Sequence, residues 1–167
     1  MVGHDALKAR SVLELKYPIQ GGQIKEWDDI QELWGFGFDQ IKATPKENKL
    51  LLTEQVFNAT KNREKMMELA FETFQFSELQ FQIQALLSMF SEGRLTASVL
   101  DSGDSQSYII PVAQGYTLKN LVKKIPLAGR TITERLTKLL FLRGYALNSS
   151  ADFETTREIK ERLCFVR

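Results

Sequence analysis

The chain has 167 residues, 43% hydrophobic and 26% charged, ordinary globular values that exclude wholesale disorder. Its 22 basic and 21 acidic side chains leave a formal net charge of +1, so neither a basic footprint for nucleic acid nor a polybasic membrane patch is present. A single cysteine, Cys164, and a single histidine, His4, exclude an internal disulfide, a four-ligand structural zinc site and a Ser-His-Asp triad with its own nucleophile elbow.

Residues 11–19 alternate and place Leu13, Leu15 and Tyr17 on one face of a predicted strand. Gln20-Gly21-Gly22-Gln23 reads as a turn. A short helix opens at Glu26-Trp27-Asp28-Asp29, with acids in the first turn where the dipole favours them. Trp27, Ile30 and Trp34 form its buried side, and Gly35-Phe36-Gly37-Phe38 is expected to break it. Residues 39–49 are polar, contain Pro45 and read as loop. Leu50-Leu51-Leu52 reads as a short, fully buried strand. The segment 62–74 is a helix with residues 67, 70, 71 and 74 as its stripe.

The spacing predicts a second helix over 77–92, with Ser77, Gln80, Gln84, Ser88 and Ser91 as a narrow uncharged polar stripe on a mostly apolar surface. Two readings stay open. The stripe bonds to neighbouring loops, or it faces a polar cleft.

Composition changes after Glu92-Gly93, the one plausible domain seam. Residues 96–100 and 107–112 are strands of a hairpin whose turn is Asp101-Ser102-Gly103-Asp104. A short basic helix over 117–124, a helix from about Thr131 to Arg143 capped by Gly144, and a last helix from Asp152 to about Phe165 follow. Asn148 to Ala151 offer its N-cap, and Thr156, Ile159, Leu163 and Val166 its apolar stripe. No apolar run approaches the roughly 18 residues of a membrane span, and the start of the chain lacks the apolar core of a secretion signal. With a lone thiol, this favours a reducing, cytoplasmic compartment.

The Asp-Ser-Gly-Asp turn is either an ordinary hairpin turn or a phosphate loop with backbone N–H groups aimed at an anion. Two carboxylates beside a polyphosphate would repel it by about 4 kcal/mol at about 4 Å and an effective dielectric near 20. The phosphate reading therefore requires a hydrated divalent cation beside the aspartates. On the last helix, Arg157, Lys160 and Glu161 share a face that is either a solvated, ion-paired surface or a grip on a polar ligand.

Seven collinear segments resemble the actin superfamily. They are Leu15-Lys16-Tyr17-Pro18-Ile19, Trp27-Asp28-Asp29, Phe71-Glu72-Thr73-Phe74, Ile83-Gln84-Ala85, Asp101-Ser102-Gly103-Asp104, Leu127-Ala128-Gly129-Arg130 and Ile159-Lys160-Glu161-Arg162-Leu163-Cys164. Arg143-Gly144-Tyr145-Ala146, Ser150 to Thr155 and Thr60 to Lys65 resemble its actin-related branch, whereas the short 39–49 loop is closer to conventional actin. The resemblance implies an α/β actin-like ATPase domain of ribonuclease-H-like topology, two lobes with ATP or ADP and Mg²⁺ between them, incomplete at both ends. Residues 1–91 would belong to the first lobe (1–17 outer subdomain, 18–91 base) and 92–167 to the second (92–127 base, 128–167 outer subdomain). The family's first phosphate loop and the end of its adenine pocket would lie outside the chain.

Carried over by position, Gly103, Asp104 and Ser105 would form the second phosphate loop, and Gly129, Arg157, Lys160 and Glu161 the ribose and adenine contacts. Gln84 would position the attacking water, and Asp101 would hold Mg²⁺ through water. Three departures point to at most a slow ATPase. Ser105 stands where the family has glycine, Tyr108 where it has histidine, and Pro126 where it has aspartate. The implied partners are the actin filament and the subunits of an actin-related nucleating complex, in the cytoplasmic cytoskeleton. A divergent actin in filaments or another assembly, or a non-functional fragment, is the alternative.

Overall fold

The computed structural model describes residues 1–10, 12–147 and 149–166. It resolves into two compact units interleaved along the chain. One takes Met1–Tyr17, Ser102–Ser107 and Ile125–Arg167, the other Pro18–Asp101 and Tyr108–Lys124. No helix among the described residues is long and apolar enough to cross a membrane.

The first unit is largely helical: α1 (Gly3–Lys8), α5 (Gly129–Phe141) and α6 (Ser150–Leu163). Helices α5 and α6 pack on each other, with Thr133 and Thr156 almost fully enclosed. Small side chains there let the helices approach. Each buried hydroxyl bonds back to the preceding turn, Thr133 to the Gly129 carbonyl and Thr156 to the Asp152 carbonyl, both at 3.0 Å. The predicted stripe of α6 holds at Thr156 and Ile159 but not beyond, because the helix stops at Leu163 and both Leu163 and Val166 are exposed.

Of the N-cap candidates, Ser149 is the one used. Its hydroxyl accepts from the Asp152 N–H (3.1 Å) while the Asp152 carboxylate accepts from the Ser149 N–H (2.9 Å), a closed capping box. Asn148 lies outside the described residues. Ser149→Ala is expected to destabilise the fold by about 1 kcal/mol, read as a lower urea midpoint at constant m-value.

The strand predicted over 11–19 does not form. Ser11 lies outside the described residues, 12–17 have no regular structure, and only Ile19–Gln20 (β1) pairs, with Gln23–Ile24 (β2) across the expected Gly-Gly turn. The reason is side-chain and backbone capture elsewhere in the first unit: the Leu15 N–H goes to Ser150 Oγ (3.5 Å), and the Tyr17 hydroxyl to Glu154.

In the second unit, α2 (Trp27–Gln40) runs straight through Gly35 and Gly37. Tertiary packing overrides their propensity. Trp34 and Phe38 meet Phe74 with ring centroids 6.4 and 5.1 Å apart, and Phe38 meets Phe76 at 5.1 Å. Ile30 is fully buried, as expected. The strand at Leu50–Leu52 is β3 (Lys49–Glu54), but only one face is covered: Leu51 is 53% exposed.

Helix α3 (Thr60–Glu68) passes into a π-helical turn at Leu69–Thr73, closed by the Phe74 N–H on the Leu69 carbonyl at 3.0 Å. The buried stripe is Met66, Leu69 and Ala70, one residue earlier than expected at 67 and 71, and Phe71 is exposed.

The predicted 77–92 helix is wrong in its first half. Glu78–Ile83 is β4, parallel to β3 with Lys49 opposite Glu78 and Glu54 opposite Ile83, and only Gln84–Ser91 is helix (α4). Glutamines at 80, 82 and 84 satisfy a period of two as well as a helical stripe.

The last sheet joins β5 (Ala97–Ser102), β6 (Ser107–Ala113) and β7 (Tyr116–Thr117), with β8 (Lys123–Ile125) also paired to β6. The hairpin is as expected, though Asp101 and Ser102 belong to β5. The basic helix predicted at 117–124 is instead one 3-10 turn (Lys119–Leu121) between β7 and β8. Val56, Ala85, Leu86, Met89, Tyr108, Ile110, Val112 and Val122 make the core.

Candidate functional site

In the first unit, the hairpin turn after β5 is clamped onto the start of α5. No side chain caps α5. Instead its first two N–H groups are taken by turn carbonyls: Gly129 N donates to Gly103 O (3.0 Å) and Arg130 N to Asp104 O (2.8 Å). A Cβ on Gly129 would lie 3.4 Å from Gly103 O and 3.6 Å from Asp104 Cα, in ordinary van der Waals contact with the turn. Below the turn, Ser107 Oγ bonds to the Leu127 carbonyl (2.6 Å) and to Ser102 Oγ (2.7 Å). The opposite side is open, since a Cβ on Gly103 would meet nothing within 4 Å.

Lys160 of α6 reaches this junction. Its Nζ donates to the Gly129 carbonyl (3.1 Å) and Thr133 Oγ1 (3.0 Å), two of its three ammonium protons being so engaged among the described residues. The structure thus brings Gly103, Asp104, Ser105, Gly129 and Lys160 together. Arg157 and Glu161 are engaged in an ion-paired row instead. Arg157 bonds to Glu161 (3.3 Å) and, through Nε (2.8 Å) and Nη2 (2.6 Å), to Glu154.

Glu154 is the residue that sequence reasoning missed. It is 3% exposed and accepts from both Arg157 and the Tyr17 hydroxyl. Its hydrogen bond raises the Arg157 guanidinium above its ordinary value. Arg10 pairs with Glu158 at 2.6 Å, which holds the Glu158 carboxyl below its usual range. A charged residue one turn before Arg157 looks like any surface pair in sequence. Only the closure of α6 over Tyr17 makes it interior.

Tyr17 is pushed up to about 12, first by burial and then by its bond to Glu154. Below the ordinary phenol value of 10.0 the group is protonated folded and unfolded alike. Between there and about 12 the unfolded chain loses a proton that the folded chain keeps, so stability falls as pH rises through this window. Absorbance titration should show a tyrosine ionising near 12 that disappears in Tyr17→Phe.

The other two candidates belong to the second unit. Gln84 is the exposed first residue of α4, its amide 3.4 Å from Thr53 Oγ1. Asp101 is half-buried near the end of β5. Tyr108 is buried and donates to Gln55 Oε1 (3.0 Å), and burial, then the charge of Asp101, pushes its phenol up. Among the described residues no three His, Cys, Asp or Glu side chains form a direct metal cluster.

The sequence pattern that defines the family described as Actin matches residues 1–167. The chain belongs to the actin family. Among its actin-family relatives, actin-related protein 2 of Acanthamoeba castellanii and that of Arabidopsis thaliana are each 44% identical over 167 residues, 99% of this chain and 43% of the relative. Actin-related protein 2 of Drosophila melanogaster is 45% identical over 168 residues, 99% of this chain and 42% of the relative. The chain spans about two fifths of the length of these curated relatives. Both the superfamily resemblance and its actin-related leaning agree with these matches, and the mixed helices and sheets fit an actin-like α/β fold.

Proposed function

We propose that this chain is part of an ATP-binding actin-related protein, a subunit of the actin-related protein 2/3 complex that nucleates branched actin filaments in the cytoplasmic cytoskeleton. The observation that carries this is the 44–45% identity to three proteins named actin-related protein 2, sustained over 99% of the chain. Residues 1–91 would be the first-lobe portion and 92–167 the second.

Nucleotide binding has local support in the first unit. The open side of the Gly103–Ser105 turn leaves room for a phosphate where a Cβ would stand, and Lys160 would donate its third ammonium proton to it. Gly129 would let the ribose approach. Arg157 and Glu161 would add adenine contacts from within their ion-paired row. When bound, Mg²⁺ would screen the triphosphate. Asp101 would hold it through water, and Gln84 would orient the attacking water.

Hydrolysis would be slow or lost. Tyr108 stays protonated at neutral pH and already donates to Gln55, so it is a poor proton acceptor. The nucleotide would then act by binding rather than turnover.

Mg·ATP is expected to raise the melting temperature over Mg²⁺ alone, with about 2.7 kcal/mol of stabilisation at a hundredfold excess over Kd. Lys160→Ala should abolish that increment. No increment in the whole protein would overturn nucleotide binding, and turnover by it as fast as filamentous actin under matched conditions would overturn slow hydrolysis. Co-purification with accessory subunits supports the complex. Self-assembled filaments would favour a divergent actin, which the short 39–49 loop keeps in view.

A further inference from the structure

Arg130, the second residue of α5, grips Asp104 twice. Its backbone N–H takes the Asp104 carbonyl at 2.8 Å and its Nε takes Asp104 Oδ2 at 3.1 Å. The guanidinium is held by aromatic rings, 4.8 Å from the centroid of Tyr17 and 5.1 Å from that of Phe153. Ser105 Oγ lies 3.5 Å from the same Oδ2. The other cations of this region are differently engaged: Lys160 with Gly129 and Thr133, and Arg157 with Glu154 and Glu161. Arg130 is therefore the one cation among the described residues paired with the turn's carboxylate.

We propose that Arg130 is a positioning residue that aims and neutralises the Asp104 carboxylate, and thereby sets how much negative charge the Gly103–Ser105 turn accepts on a bound nucleotide. This rests on the nucleotide reading above and adds a determinant of triphosphate over diphosphate binding. A bare carboxylate at this turn would repel a polyphosphate, the more so the more charge it carries. The aromatic pair fixes the guanidinium in advance, so little ordering is needed when the ligand arrives.

The test compares Mg·ATP, Mg·ADP and adenosine binding by calorimetry in the whole protein, as wild type, Arg130→Met, Arg130→Lys and the double variant Arg130→Met/Asp104→Asn. Methionine keeps an aliphatic body between the rings but removes the charge. ATP affinity should fall by about tenfold in Arg130→Met, ADP affinity by less, and adenosine affinity not at all. Lysine should recover part of the loss, and Asp104→Asn in the methionine background should restore ATP affinity more than ADP affinity. Nucleotide-free spectra should also show the Asp104 and Ser105 amide resonances moving in Arg130→Met and moving less in Arg130→Lys. An equal loss for all three ligands, with melting lowered in parallel, would mean a merely structural role and overturn the assignment, as would unchanged ATP affinity. If the wild-type whole protein binds none of the three, the nucleotide reading falls and this assignment falls with it. Unmoved Asp104 and Ser105 resonances would instead refute the Arg130 grip alone.

Discussion

Glu154→Ala is expected to destabilise the first unit by about 3 kcal/mol, near the lower end for a broken interior ion pair because Arg157 keeps contact with water. The substitution strands the Tyr17 hydroxyl and takes from the Arg157 guanidinium its interior carboxylate partner, leaving it Glu161 and water. For a chain of this size that corresponds to a fall of roughly 10 °C in Tm. Glu154→Gln should lose less, since its amide oxygen still accepts from Tyr17. Scanning calorimetry at neutral pH checks both. A further signature separates this from general damage: in Glu154→Ala the high-pH tyrosine step should move down toward the ordinary phenol value, because both the hydrogen bond and the negative charge of Glu154 are gone while burial remains.

Gly22→Ala should destabilise the second unit by about 2 to 3 kcal/mol. Gly22 has φ +73°, where an L side chain costs about 1 to 2 kcal/mol. A Cβ there would also overlap Gln55, 1.7 Å from its Nε2. Gln55 would have to leave the Tyr108 hydroxyl, a buried bond worth about 1 kcal/mol net. The two parts can be separated by a double-mutant cycle with Gln55→Ala. Against a Gln55→Ala background the glycine substitution should cost only its backbone part. Equal costs in both backgrounds would show that the overlap is relieved without loss.

Local chemistry was the part of the fold legible in the sequence. The β5–β6 hairpin, the Gly144 end of the α5 segment and the start of α6 each carry their own turn or capping residues within a few positions. Gly144 at φ +89° ends the helical segment as its sequence suggests. What failed depends on distant partners. β4 is a strand because Glu78–Ile83 finds Lys49–Glu54, an alignment that no window around residue 80 contains. α2 survives two glycines because Phe74 and Phe76 arrive from elsewhere to pack on Phe38. The candidate site divides the same way. Gly103, Asp104 and Gly129 stand out as turn and helix-start residues and do meet. The roles of Arg130 and Glu154 are visible only once Tyr17, more than a hundred residues earlier, is placed beside them.

The interleaving of the two units has a consequence for dissecting the gene. The polypeptide passes from one unit to the other at residues 17/18, 101/102, 107/108 and 124/125. No single cut releases either body whole, so limited proteolysis should yield nicked species that stay associated rather than separable halves. Expressing one body alone would require splicing its pieces through new linkers, or co-expressing them as complementing peptides.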